Sequence, residues 1–150
     1  MLSRFEQFSS SITCIYRYIQ KIERTEMEKY GLKGPHAQCL LAMSRFPEGI
    51  TSARLCKVCD KDKAAISRMV AELEGKNMIC RDAADGNRYR ARLYLTSMGK
   101  TAADHVEDRA RLAVEEAGAG MTQQQRETLY AVLELIAGNL QSICDQGLLG

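Results

Sequence analysis

Apolar residues near the start of the chain recur at a helical interval. Phe5, Phe8, Ile12, Ile15, Ile19 and Ile22 lie alternately three and four apart, a narrow seam that predicts one long helix from Ser3 to Tyr30. Leu129, Leu133, Ile136, Leu140 and Ile143 repeat the pattern near the other end. There the glycines of "GAGMTQQQ" stop a preceding helix, Thr122 supplies a cap and Gln125 completes a capping box. Seams this narrow fit packing against a second chain, with Phe5, Phe8, Ile12, Leu133, Ile136, Leu140 and Ile143 as candidate contacts. They also fit helices that line the chain's own core.

Shorter elements fill the middle. "GLKGPHAQCLLAM" places Pro35 at a first helical position, with Ala37, Leu40 and Leu41 on one side. "GITSARLCKVC" offers Thr51 as an N-cap for a short helix that turns Leu55 and Val58 inward. Asp60 to Asp62 make a turn, and Asp62 can cap the helix from Lys63 to Lys76. That helix has a clear inward stripe of Ile66, Met69, Val70 and Leu73. Lys63, Ser67, Ala71 and Glu74 face away, with Ala64 and Arg68 beside them, and Asn77 can take the left-handed conformation that ends it. Ile79 to Arg81 read as a short strand, Asp85-Gly86 as a tight turn, and Arg88 onward as a second strand. Thr96 caps a further helix of about twenty residues, ending near Gly118.

The second strand alternates charge with apolar side chains. Arg88, Arg90 and Arg92 fall on one face, and Tyr89, Ala91, Leu93 and Leu95 on the other. Residues 51–96 hold ten basic and six acidic residues, +4, whereas residues 97–150 hold four and eight, −4. A basic middle beside an acidic tail points to a central lobe that meets a polyanion.

Two short helices joined by a tight turn and followed by a hairpin make a winged helix-turn-helix. The expected fold is therefore mainly α with a small β-hairpin wing (α+β), a single domain over 1–150 with long N- and C-terminal helices. A recognition helix needs small or polar residues where its first turns meet base edges. Lys61, Lys63, Ala64, Ala65, Ser67 and Arg68 provide them, and Arg88 and Arg90 can follow the phosphates or enter a narrow minor groove. The bland readings are an ordinary polar helix face and a solvated charged strand.

This order of parts resembles the MarR family of bacterial transcription regulators over Ser3 to about Cys144, most sharply in "DKAAISRMVAELEGKNMICRDAADGNRYRARLYLTSMGK". Counting back from Leu95-Thr96, the family's minor-groove arginine falls on Arg88, while Asn87 stands where the family carries an aspartate and Asn77 where a glycine is usual. The resemblance implies a homodimer built by residues 1–34 and 97–146, with residues 35–96 as the DNA-binding lobe, in a chain whose start and hydropathy lead to the expectation of a cytoplasmic protein. It implies recognition helices roughly 34–36 Å apart on a palindromic duplex operator. It also implies a small aromatic or phenolic effector, for which no motif fixes a pocket.

Other chemistry is thin. The six cysteines (Cys14, Cys39, Cys56, Cys59, Cys80 and Cys144) are scattered and read as reduced thiols. Cys56 and Cys59 lack the second pair a zinc site wants, so neither metal nor cofactor is expected. Cys14, close to Tyr16 and Tyr18, carries an alternative reading as a peroxide-sensing thiol. His36 and His105 show no nucleophile or carboxylate relay around them and read as surface or packing residues, with His36, near a helix start, able to touch a phosphate. No catalytic constellation appears, so no enzyme is expected. The start "MLSRFEQFSS" lacks an apolar leader, and no run is long enough for a bilayer. A third reading keeps the winged helix but makes the basic lobe a dock for an acidic protein.

Overall fold

The computed structural model describes residues 1, 3–82 and 90–148. Six helices and three strands follow in order: α1 (Arg4–Glu28), α2 (Pro35–Ser44), β1 (Ile50–Thr51), α3 (Ser52–Cys59), α4 (Lys63–Gly75), β2 (Ile79–Asp82), β3 (Arg92–Leu95), α5 (Ser97–Ala117) and α6 (Gln123–Gln146). The chain divides into two compact units, Met1–Ala110 and Arg111–Gly150.

Local chemistry sets the ends. Ser3 and Glu6 form a capping box at α1, with the Ser3 hydroxyl accepting from Glu6 N at 3.1 Å and Glu6 Oε2 accepting from Ser3 N at 2.8 Å. Thr51 Oγ1 accepts from Arg54 N at the start of α3, and Asp62 Oδ1 accepts from Ala65 N at 2.7 Å at the start of α4. Between them Asp60 is left-handed (φ 51°), which turns the chain sharply from α3 into α4. Asn77 takes the left-handed conformation beyond α4 (φ 59°), as its residue type predicts.

The first unit closes over one apolar cluster. Leu40 from α2, Leu55 from α3, Ile66, Val70 and Leu73 from α4 and Leu93 from β3 are almost wholly buried, and Met27 of α1 and Ala102 and Ala103 of α5 join them. The inward stripe of α4 is the one its spacing predicts. Helix α2 is more enclosed than expected: His36, Ala37, Cys39, Leu40, Ala42 and Met43 are all buried, so it is a central helix rather than a one-sided one.

The sheet is antiparallel in the order β1-β3-β2, with Ile50 opposite Leu93 and Ile79 opposite Leu95. Two residues, Ile50 and Thr51, form an edge strand that the sequence reading left inside the approach to α3. Strand β3 runs over Arg92–Leu95 and Arg90 lies in a turn, whereas Asp85, Gly86, Arg88 and Tyr89, on which the expected tight turn and strand start fall, lie outside the described residues. From Ala91 onward the alternation holds, with Ala91 and Leu93 buried and Arg92 exposed.

Thr96 ties the sheet to α5. Its hydroxyl donates to Asn77 O at 2.6 Å and accepts from Gly99 N at 3.1 Å. A Cβ on Gly99 would sit 2.0 Å from Met78 O, so this helix can pack here only with glycine at its third position.

Two carboxylate contacts correct the sequence reading of the histidines. Glu26 of α1, buried, meets Lys29 Nζ at 2.6 Å, His105 Nε2 of α5 at 2.8 Å and Arg109 Nε at 3.4 Å. The Lys29 hydrogen bond lowers the Glu26 pKa to about 2 against the opposing effect of burial, with His105 adding to the lowering. His36, also buried, accepts the Lys33 N–H at Nδ1 (2.9 Å), and its Nε2 lies 2.9 Å from Glu72 Oε2 of α4 without the alignment of a hydrogen bond. Burial holds the His36 pKa below its ordinary value, so the ring is neutral at neutral pH. Both carboxylate partners sit far along the chain, which is why local spacing did not reveal them.

In the second unit, α6 starts at a capping box between Thr122 and Gln125 and buries no residue. Arg126 lies over Gly118, where a Cβ would come within 2.6 Å of its guanidinium.

Two outcomes follow. Asp62→Ala should cost about 1 kcal/mol in urea unfolding by uncapping α4, and Asp62→Asn should recover most of it. Glu26 has a depressed pKa, so its contribution is present above the unfolded value of 4.5 and is lost as pH falls toward about 2. Wild type should therefore exceed Glu26→Gln in stability at neutral pH, and the gap should close through that window.

Candidate nucleic-acid interface

The stripe that buries α4 also decides what it shows. With Ile66, Met69, Val70 and Leu73 inward, Lys63, Ala64, Ser67, Arg68 and Ala71 are exposed, whereas Ala65 and Lys61 are half-buried. Lys63, Ser67 and Ala71 recur at four-residue intervals and line one side of a groove of about 620 Å³. Ser52, Ala53 and Cys56 of α3 form the opposite wall, and Glu74 and Arg81 close the end toward the sheet. The small side chains on both walls let backbone approach whatever enters. The α3 wall escaped the sequence reading; its only signal was the interval of small residues Ser52, Ala53 and Cys56 on a helix otherwise read for its core face.

The cations around this face are individually held. Arg81 Nη2 lies 2.8 Å from Glu74 Oε1, a contact that links β2 to the last turn of α4. Arg54 of α3 stacks over the Phe46 ring, 4.7 Å from its centroid. Arg92 Nη1 donates to Glu48 O at 3.1 Å, so its guanidinium is turned toward the β1 turn. Of the alternating arginines, Arg90 is exposed and Arg88 lies outside the described residues.

The apolar seams end on the surface. Phe5, Phe8 and Ile12 of α1 are 77%, 43% and 43% exposed. On α6, Leu133, Leu140 and Ile143 are exposed and Ile136 is half-buried. For α1, the reading in which the seam lines the chain's own core does not hold.

Thiol chemistry separates by position. Burial pushes the Cys39 thiol up to about 12 and raises that of Cys59, so both stay protonated and unreactive. Cys14 is half-buried on α1, with Arg17 Nη2 3.9 Å from its sulfur. Among the described residues, no group of three potential ligands is placed to hold a metal ion, and no helix is long and apolar enough to cross a membrane.

Comparison with known proteins agrees with this geometry. The model of the MarR family matches residues 30–87. A Thauera aromatica protein named "Putative transcriptional regulatory protein for hcr operon" is 26% identical over 133 residues, covering 89% of this chain and 71% of that protein. Among solved structures, a MarR transcriptional regulator from Methanosarcina mazei Go1 superposes with a TM-score of 0.80 at 24% identity, over 92% of this chain and 99% of that one. The S. aureus MepR–DNA complex does so with a TM-score of 0.79 at 18% identity, over 92% and 99%. Residues 30–87 thus match the model of the MarR family, and the helix-turn-helix with the sheet beside it is similar in fold to solved structures of that family.

Proposed function

We propose that the protein binds a palindromic duplex operator as a homodimer, with residues 35–96 as the DNA-binding lobe and residues 1–34 and 97–146 as the pairing helices. The observation that carries this reading is the outward face of α4. It presents Lys63, Ala64, Ser67 and Arg68 without a bulky apolar side chain, which is what entry into a major groove requires. Lys61, Ala65, Arg88 and Arg90 complete the proposed DNA contacts. Phosphate contacts supply most of the affinity and the first turns of α4 most of the selectivity. That the MepR neighbour is itself a complex with DNA supports the reading.

Pairing is supported by the exposed seams. A contiguous apolar face is costly in water unless another surface covers it. Phe5, Phe8, Ile12, Leu133, Ile136, Leu140 and Ile143 are the residues we assign to the interface. The regulator reading includes modulation by a small effector.

Selection of bound duplexes from a random pool, with sedimentation of the free protein, tests both halves. A recovered palindrome and a two-chain mass are expected. A single-chain mass at micromolar concentration, with no duplex retained at low salt, would overturn the reading. On the selected duplex, Arg88→Ala should weaken binding to every sequence and lower the salt slope by about one unit. Ser67→Ala should instead change which bases are preferred.

A further inference from the structure

Helices α1 and α5 part from the core of the first unit at one place. Among the 25 residues of α1 only Glu26 and Met27 are buried, so nearly all of the helix before them lies outside the apolar cluster. In α5 the buried residues are Gly99, Ala102, Ala103 and Val106, and the first unit ends at Ala110. Glu26 of α1 meets His105 and Arg109 of α5 at this point of departure.

The contact is one carboxylate with both oxygens engaged. Oε2 meets Lys29 Nζ at 2.6 Å and His105 Nε2 at 2.8 Å, and Oε1 lies 3.4 Å from Arg109 Nε. The Lys29 hydrogen bond keeps the Glu26 pKa at about 2 against the cost of burial, so the carboxylate is ionised throughout the neutral range. An ionised carboxylate only accepts, so His105 Nε2 carries the hydrogen. The His105 ring also meets Tyr30 edge-on, with centroids 5.6 Å apart. Lys29 and Tyr30 lie in the turn that follows α1, so α5 is clasped by the end of one helix and the turn beyond it.

Position at this clasp is amplified along α1. Phe5 stands 21 residues before Glu26, about 32 Å away at 1.5 Å per residue. A tilt of roughly 6° at the clasp moves that far end by about 3.3 Å, one base-pair step.

We propose that Glu26 is a positioning residue for DNA recognition. By clasping His105 and Arg109 it fixes the angle at which α1 leaves the DNA-binding lobe, and so the half-site spacing that the pair accepts. The assignment rests on the paired, operator-binding reading above, in which the α1 seam joins the two chains. Glu26 is not among the residues that line the groove of α4, so the bases preferred within a half-site do not depend on it. A weakened clasp lowers discrimination between spacings and leaves that base preference intact.

The test uses the selected duplex and two versions of it, with one base pair added to or removed from the centre. Wild type should prefer the selected spacing. In Glu26→Gln the affinity ratio between selected and altered spacings should fall about two- to tenfold, the size of coupling carried by residues remote from a ligand. Arg109→Ala removes one contact at a side chain 48% exposed and leaves the carboxylate with Lys29 and His105, so the lobe stays folded. It should lower the ratio in the same direction by a smaller factor, and Arg109→Lys should restore it. Base changes inside a half-site should cost each variant what they cost wild type. Pulsed dipolar spectroscopy of the free pair, with a spin-labelled amino acid built in at exposed Lys57, should give one narrow distance in wild type and a broader spread in Glu26→Gln and Arg109→Ala. Unchanged spacing ratios and label distances in both variants overturn the proposal. So does a loss of base preference in Arg109→Ala, which would place the clasp in the folding of the lobe. A single-chain mass for wild type overturns the pairing reading and this proposal with it. If the pair forms and no duplex is retained, the operator reading fails, whereas the label distances still report on the clasp.

Discussion

The placement of α4 depends on one stripe of four side chains, Ile66, Met69, Val70 and Leu73, sunk into the cluster made by Leu40, Leu55 and Leu93. Each such burial contributes roughly 1.5–3 kcal/mol, far more than any exposed ion pair around it. Because the stripe recurs every three or four residues, it fixes the rotation of the helix about its own axis. Lys63, Ser67 and Ala71 face outward for the same reason that Ile66 and Val70 face inward. The reading surface is the remainder left by the core, and the caps at Asp62 and Asn77 fix where that surface begins and ends.

Around this apolar base, carboxylates act as fasteners between elements. Glu26 joins α1 to α5, Glu72 joins α4 to the start of α2, and Glu74 joins α4 to β2. Only the first is deeply enclosed, and its Lys29 hydrogen bond pushes its pKa down to about 2. The two on α4 are more exposed, so they stabilise less and exchange partners more readily. This gradient makes the helix firmly seated and yet adjustable at its edges.

How much of this was legible in the sequence depends on the range of the interaction. Helix starts at Thr51, Asp62 and Thr122 were readable because a cap and its target lie within three residues. The inward stripe of α4 was readable because its period is local. What escaped was non-local: the short β1 strand exists only through Leu93 and Arg92, and the histidine contacts join residues remote in sequence. The deep enclosure of α2, in which Pro35, Gln38 and Ser44 stay exposed, is likewise a property of its neighbours. At the DNA face, the α4 residues were visible and the α3 wall was not, because Ser52, Ala53 and Cys56 have no charge to draw notice. Gly99 after Leu95-Thr96 is dictated by Met78 O, a neighbour 21 positions back that no local pattern shows.

Helix α6 runs for 24 residues and buries none of them. Most helical stability in proteins comes from packing rather than from propensity, and a capping box at one end offsets little of the entropy of ordering such a helix. In a lone molecule its backbone amides would exchange with solvent by fraying, turn by turn, without waiting for the cluster beneath α4 to open. Whatever slow exchange is measured along α6 is therefore a property of its surroundings and not of its own turns.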